Sequence, residues 1–341
     1  MQTYYTKWYS PSVGREMEIK VYGHAGRPVL FIPCQDGRFF DFENYRMTDA
    51  WAPWIESGQC MVFSIDTLDK ETYSATYDPH DRIRRHEAWM NYIVREVAPF
   101  IQSMTNDRNG WDGTPGIIAF GCSLGATHAA NLYFRFPETF DGLLALSGIY
   151  TSEYGFPGYM DELVYANSPV DYLAGISPDH PFIRLYNDHK AVVVVGQGAW
   201  EVPESTFRLR DICAQKDIHV WFDIWGYDVK HDWDWWYQQV AYHVPHILRQ
   251  GGFPLNPCRG FASAEATRGL CGRPLDCFAV PLKFVDFYRC FRFVCLAFSA
   301  KKRAKINRNK SQKDESNHEE FRFHFPQFPR QLLAVLPSAA Q

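Results

Sequence analysis

Short apolar runs alternate with longer segments of helical periodicity along the first 250 residues of the chain. Apolar runs bounded by turn residues are typical of buried strands, and apolar residues spaced three and four apart are typical of helices. The predicted strands span residues 16–23, 28–33, 60–66, 116–121, 142–148, 191–198 and 219–226. The predicted helices span residues 86–104, 126–136, 205–217 and 234–248. This alternation predicts an α/β fold, in which a mostly parallel central sheet carries helices on both faces as a three-layer α/β/α sandwich.

One stretch, residues 149–190, interrupts the alternation between two predicted strands. It is rich in Tyr, Pro, Asp and Gly, and it is too long for a simple connection. Loops at the ends of strands commonly carry function. We therefore expect this excursion to cross over the strand ends and to border a substrate site.

The composition changes near residue 250. Residues 1–250 hold 20 Lys and Arg against 32 Asp and Glu, whereas residues 251–341 hold 15 against 7. The segment 301–320 is a run of charged and polar residues, which is typical of a solvated chain. We predict a folded domain at 1–250 and a basic, poorly ordered C-terminal extension at 251–341.

The net charge, the N-terminal sequence and the cysteine content restrict the class of protein to which the chain can belong. A net charge of −4 gives no general argument for binding nucleic acid or an anionic membrane. The N-terminus lacks the pattern of a secretory signal, and no stretch reaches the roughly 18 uncharged apolar residues of a membrane helix. Nine cysteines without an export signal suggest reduced thiols. We therefore expect a cytoplasmic protein with neither a nucleic-acid nor a membrane partner.

The sequence gives no sign of a cofactor. The cysteine spacings match no zinc pattern, and the chain has neither a phosphate-binding loop nor a Gly-rich dinucleotide signature. We expect no metal and no bound cofactor. The pattern makes no prediction of the oligomeric state.

Ser123 lies in the segment Gly121-Cys122-Ser123-Leu124-Gly125, which fits G-x-S-x-G between a predicted strand and a predicted helix. A nucleophile on a sharp strand-to-helix turn has a strained backbone, and larger flanking residues would clash there. The dipole of the following helix would favour negative charge near the reacting oxygen. This context favours a nucleophilic Ser123, and the alternative is a serine that serves only the turn.

A serine hydroxyl needs a general base, and the base needs an acid that orients it. In this kind of fold the chain order is Ser, acid, His. His231 follows the last predicted strand and is the predicted base. His128 is too close to Ser123 in the chain to be the base, and we expect it to be buried or to support the site without touching the substrate. Glu201 comes first after the preceding strand and is the predicted acid. Glu204, which could instead flank the next helix, is the alternative.

An oxyanion hole needs two backbone N–H donors. One is expected from Leu124, the residue after the nucleophile. The other is expected from the loop 33–40, where Gly37 lets the backbone turn closely and Arg38 offers its N–H group. The alternative is that Gln35-Asp36-Gly37 forms only a tight turn.

Four short segments carry a resemblance to a known family, namely 35–38, 121–125, 196–201 and 231–236. Over roughly residues 5–250 the chain resembles the putative-esterase (esterase D-like) family of α/β hydrolases. The resemblance implies the α/β-hydrolase fold, with Ser123 as nucleophile and His231 as base. It also supports Arg38, because the family's pair before the oxyanion residue matches Asp36-Gly37. The resemblance says least about which residue is the acid, because the position of the acid varies within the family.

We therefore expect a serine esterase that hydrolyses small-molecule carboxylic esters through an acyl-enzyme on Ser123. One alternative is an acyltransferase, which would use the same residues and differ only in whether water or another acceptor takes the acyl group. Another alternative is a hydrolase-fold binding module without activity. The intact set of serine, histidine and acid argues against that module.

Overall fold

The apolar runs of the sequence form the centre of one eight-stranded sheet. The computed structural model describes residues 1–249. Its strands are β1 Thr3–Ser10, β2 Arg15–Tyr22, β3 Arg27–Ile32, β4 Cys60–Ile65, β5 Ile118–Cys122, β6 Gly142–Leu146, β7 Lys190–Val195 and β8 Trp221–Ile224. The strand order is β1-β2-β4-β3-β5-β6-β7-β8. The pairs β1–β2 and β2–β4 are antiparallel, and every pair from β4 to β8 is parallel.

Helices supply the crossovers that parallel strands require. They are α1 Asp41–Asn44, α2 Met47–Glu56, α3 Pro79–Tyr92, α4 Ala98–Asn109, α5 Leu124–Arg135, α6 Glu162–Ala166, α7 Pro169–Gly175, α8 Pro181–Asp188, α9 Pro203–Gln215 and α10 Trp233–Leu248. A π-helical turn, Ile93–Val97, joins α3 to α4, and two short 3-10 turns lie at Asp69–Glu71 and Ser152–Tyr154.

The central strands pack on both faces because successive side chains point to opposite sides of a sheet. On one face, Phe31 and Phe120 pack with Trp51 of α2 and Val240 of α10. On the other face, the alternate residues of the same strands pack with α3, α4, α5 and α9. Every residue of β4, β5 and β6 is buried. This arrangement confirms the predicted three-layer α/β/α sandwich with a mostly parallel sheet.

The structure adds elements that the pattern analysis did not predict. β1 is an edge strand whose residues are mostly exposed, so it lacks an apolar signal. α2 carries Pro53 within the helix, which lowers its helical signal in the sequence. The excursion 149–190 is not an irregular loop, since it contains α6, α7 and α8.

The predicted extension at 251–341 lies outside the described residues, so the boundary at residue 250 stays a prediction. Among residues 1–249, no helix is both long enough and apolar enough to cross a bilayer.

Phe120 offers a test of the central packing. Its fully buried ring lies 4.9 Å from that of Trp51 and 5.3 Å from that of Phe31, measured between centroids. We expect Phe120→Ala to lower the free energy of unfolding by about 3–5 kcal/mol, because it removes buried apolar surface and leaves a cavity. Urea denaturation followed by circular dichroism measures this change. Tyr227→Ala, at a side chain 81% exposed, is the matched control and should change stability by less than about 0.5 kcal/mol.

Candidate active site

Ser123 lies at a tight turn between β5 and α5. Its backbone has φ 58° and ψ −130°, a conformation that costs free energy for any residue with a side chain. A Cβ atom at Gly121 would overlap the backbone of Gly125, and one at Gly125 would overlap the carbonyl oxygens of Ile32 and Pro33. The two glycines therefore allow β5, α5 and the end of β3 to approach closely around Ser123, as the sequence analysis expected of this turn.

The carboxyl ends of three parallel strands, β5, β7 and β8, bring Ser123, Glu201 and His231 together. Glu201 follows β7, and His231 lies between β8 and α10. Ser123 Oγ lies 2.9 Å from His231 Nε2, and His231 Nδ1 lies 3.4 Å from Glu201 Oε2. Glu201 is 5% exposed. The carboxylate can accept a hydrogen bond from Nδ1–H, which leaves Nε2 to accept one from the serine hydroxyl.

Glu204, the alternative acid, is exposed in the first turn of α9. An acidic residue there interacts favourably with the positive end of the helix dipole. Of the two glutamates considered, only Glu201 contacts His231.

Backbone donors near Ser123 come from α5 and from the loop after β3, residues 34–39, which we call the oxyanion loop. No acceptor within residues 1–249 takes the amide hydrogen of Leu124 at the start of α5. The same holds for the amide hydrogen of Gln35. Gln35 closely follows Ile32 and Pro33, whose carbonyl groups lie against Gly125. Leu124 and Gln35 are thus candidate donors, one from each of the two segments.

The sequence-based expectation for Arg38 needs correction. Its amide hydrogen is donated to Asp41 Oδ2 at 3.0 Å, at the start of α1. Its guanidinium group pairs with Asp66 at 2.8 Å and with Glu18 at 2.6 Å. Because its N–H group already has an acceptor, Arg38 is not available as an oxyanion donor in this structure. Gln35 takes its place as the candidate.

A family model described as "Putative esterase" matches residues 10–247 of the chain. The chain belongs to this esterase family. This confirms the resemblance that the four sequence segments carried.

Solved structures of esterases share the fold at low sequence identity. A ferulic acid esterase is 16% identical with a TM-score of 0.56, covering 73% of this chain and 98% of its own. An S-formylglutathione hydrolase from Agrobacterium tumefaciens is 12% identical with a TM-score of 0.55, covering 73% and 95%. FphF, a fluorophosphonate-binding serine hydrolase from Staphylococcus aureus, is 12% identical with a TM-score of 0.51, covering 73% and 98%. These likenesses confirm the α/β-hydrolase fold. A search of curated protein sequences gave no significant match.

In this esterase-family chain, a short series of hydrogen bonds ends on Glu201. It consists of Ser147, which no sequence motif indicated, and Trp236, which lies in the segment 231–236. Ser147, directly after β6, donates its hydroxyl hydrogen to Glu201 Oε1 at 2.7 Å. Trp236 donates its indole N–H to Ser147 Oγ at 3.0 Å, and its ring meets the ring of His231 edge to face at 5.0 Å. Ser147 belongs to no motif, and its position at the end of a buried strand was the only signal in the sequence.

The excursion 149–190 reaches the site, as expected. Tyr154 donates its hydroxyl hydrogen to Gln35 Oε1 at 2.5 Å, so the excursion contacts the oxyanion loop directly.

Cys122, the residue before Ser123, is fully buried. Burial raises the pKa of its thiol well above the ordinary value. The thiol therefore stays protonated and does not compete with Ser123 as a nucleophile. Within residues 1–249, no three His, Cys, Asp or Glu side chains come together in a way that could hold a metal ion.

The contact between Ser147 and Glu201 leads to a prediction. We expect Ser147→Ala to lower kcat about tenfold or more with little change in KM. The hydrogen bond to the carboxylate is worth about 1.5–3 kcal/mol, and its loss loosens the group that orients His231. Steady-state hydrolysis of p-nitrophenyl acetate measures this change. Ser64→Ala is the matched control, because Ser64 is equally buried but its hydroxyl has no partner within the described chain. Equal losses in the two variants would contradict the role of Ser147.

Proposed function

We propose that this protein is a serine carboxylester hydrolase that works through an acyl-enzyme on Ser123. One observation carries the proposal: the 2.9 Å contact between Ser123 Oγ and His231 Nε2, with Glu201 on the opposite side of the imidazole ring. Membership of the esterase family supports the same reading. The proposed triad is Ser123, His231 and Glu201.

The first half of the reaction transfers the acyl group to the enzyme. His231 Nε2 takes the hydroxyl proton of Ser123 as Oγ attacks the ester carbonyl carbon, and the carbonyl electrons move to the oxygen. The N–H groups of Leu124 and Gln35 stabilise that oxyanion, and Glu201 stabilises the imidazolium. The imidazolium then protonates the leaving alkoxide, so the alcohol departs as the C–O bond breaks.

The second half regenerates the enzyme. His231 Nε2 takes a proton from a water molecule whose oxygen attacks the acyl-enzyme, and the same two N–H groups hold the second oxyanion. The intermediate collapses to a carboxylic acid, and the proton on Nε2 returns to Ser123 Oγ. None of these steps draws on a group outside the chain except substrate and water.

The proposed substrate is a small-molecule carboxylic ester, and the proposed compartment is the cytoplasm. The solved relatives include proteins named for ferulic acid and for S-formylglutathione, which are an acid that forms esters and a thioester. Four cysteines of the described chain, at positions 34, 60, 122 and 213, are free thiols. Free thiols are typical of a reducing compartment. No observation favours a nucleic-acid partner.

The nucleophile can be tested on the full chain. We expect wild-type protein to hydrolyse short-chain p-nitrophenyl esters and to react covalently with a fluorophosphonate probe. Ser123→Ala should lose the labelling entirely and reduce hydrolysis by about 10⁶-fold, because the variant lacks the oxygen that forms the acyl-enzyme. Gel fluorescence and absorbance at the p-nitrophenolate band measure the two results.

Other outcomes of this experiment would support one of the two alternative functions, a binding module or an acyltransferase. Folded wild-type protein that neither hydrolyses nor labels would overturn the proposal in favour of a binding module. Labelling together with transfer of the acyl group to an added alcohol, at the expense of the free acid, would identify an acyltransferase. Mass spectrometry of the products separates the new ester from the acid.

The two neighbouring glutamates give a matched pair. We expect Glu201→Gln to lower kcat by roughly 10⁴-fold, because an amide does not stabilise the imidazolium and can hold the ring in the wrong tautomer. Glu204→Gln should leave kcat within about twofold, because its side chain is exposed and does not contact His231. Steady-state kinetics at neutral pH compare the variants, and a reversed ranking would reassign the acid to Glu204.

A further inference from the structure

The segment after β4, residues 66–74, makes hydrogen bonds to four residues of the oxyanion loop. We call it the support segment. Its contacts are Gln35 Nε2–H to Ser74 Oγ at 2.7 Å, Asp36 N–H to Asp69 Oδ2 at 3.2 Å, Thr67 Oγ1–H to Gly37 O at 3.0 Å, and Phe39 N–H to Asp66 Oδ1 at 2.8 Å. The conformation of the loop is therefore set largely by the support segment.

Asp69 hydrogen-bonds both to the oxyanion loop and to the nucleophile helix, α5. Its Oδ1 lies 2.9 Å from Nε2 of His128 on α5, and both side chains are only 1% exposed. A single carboxylate thus bonds to the backbone next to Gln35 with one oxygen and to the helix that begins at Leu124 with the other. The segments that carry the two candidate oxyanion donors are joined through Asp69 and His128.

The burial of this pair shows how strongly the contact is constrained. A buried carboxylate is costly unless hydrogen bonds satisfy it, so Asp69 can stay in place only while both partners do. One of those partners, Asp36, has φ 61°, in the left-handed region that non-glycine residues seldom occupy. Such a backbone persists when its surroundings over-determine it. The hydrogen bond from Asp36 N–H to Asp69 is one of those determinants.

We propose that Asp69 and His128 are positioning residues that fix the separation between the N–H groups of Gln35 and Leu124. This inference rests on the proposed function, because it assigns those two groups to the oxyanion. Neither side chain touches the substrate in this role. An oxyanion binds well only when both donors point at it from a set distance, and a misplacement of about 1 Å can cost on the order of 10²-fold in rate.

A substitution at His86 serves as the control that distinguishes the hydrogen bond between Asp69 and His128 from the packing of the buried rings. The ring of His86 packs against that of His128 with 5.1 Å between centroids, and this residue is also 1% exposed. Its Nε2 has no hydrogen-bond partner within residues 1–249. Burial lowers the pKa of His86 well below its ordinary value, so the ring is neutral and its replacement by methionine removes no charge.

The test compares full-length His128→Met, His128→Gln and His86→Met with wild type. We expect His128→Met to lower kcat for p-nitrophenyl acetate about 10- to 100-fold with KM within about threefold, because loss of an oxyanion donor costs 10²–10³-fold and here it is only displaced. His128→Gln, whose amide can donate to Asp69, should recover most of kcat. His86→Met should change Tm but not kcat. In hydrogen-exchange mass spectrometry, amides of the oxyanion loop should exchange faster in His128→Met alone.

Several results would overturn this inference. They are equal losses of kcat in His128→Met and His86→Met, no recovery in His128→Gln, or unchanged exchange of the oxyanion loop in His128→Met. Where His128→Met does not fold, His128→Asn replaces it, since asparagine keeps an amide but is too short to reach Asp69. If the wild-type protein neither hydrolyses the ester nor reacts with the fluorophosphonate, the proposed function is overturned as well. If the wild type is active and His128→Met and His86→Met lose kcat equally, only the positioning role is overturned.

Discussion

Parallel hydrogen bonding between six adjacent strands, from β4 to β8, is the constraint on which the site depends. Because these strands run in one direction, their carboxyl ends all reach the same edge of the sheet. Each of them delivers one component there: the support segment after β4, the oxyanion loop after β3, Ser123 after β5, Ser147 after β6, Glu201 after β7 and His231 after β8. Ser123 and His231, which are 108 positions apart in the chain, meet because the sheet sets their order.

Strained backbone conformations are concentrated at this edge of the sheet, where the parallel strands end. Six non-glycine residues of the described chain have positive φ, and four of them lie in loops that follow central strands: Asp36, Ser123, Ser147 and Trp200. Each such conformation costs about 1–3 kcal/mol and persists because packing and hydrogen bonds hold it. The buried core beneath the loops supplies that support, so a stable sheet is a condition for the geometry of the site. Substitutions that relieve this strain would favour stability over activity.

Sequence patterns predicted the part of this architecture that local chemistry determines. The apolar runs became strands because their residues are buried on both faces, and the glycines around Ser123 marked the turn because side chains do not fit there. The expected positions of Glu201 and His231 followed from strand order. In the structure His231 contacts Ser123, and Glu201 contacts His231.

The parts of the site that the sequence did not predict depend on contacts between segments that are distant in the chain. The Asp36-Gly37 pair favoured Arg38 as the oxyanion donor, but Asp41 accepts the hydrogen of its N–H group, a contact that the sequence does not indicate. The link between Asp69 and His128 joins a 3-10 turn to α5 across 59 positions of the chain. Neither residue belongs to a motif. Hydrogen-bond partners of this kind are set by tertiary packing, which local periodicity does not encode.

The direction of hydrogen bonding behind His231 follows from the chemistry of one side chain. The indole N–H of Trp236 can only donate, so Ser147 Oγ must accept it, and the single hydroxyl hydrogen of Ser147 is free to go to Glu201 Oε1. With Oε1 engaged, Oε2 is the oxygen that faces His231 Nδ1. A proton on Nδ1 leaves Nε2 as the acceptor for the hydroxyl of Ser123. Trp236 thus sets the polarity of the entire chain of hydrogen bonds through Ser147, which a phenylalanine of similar bulk at the same position would not do.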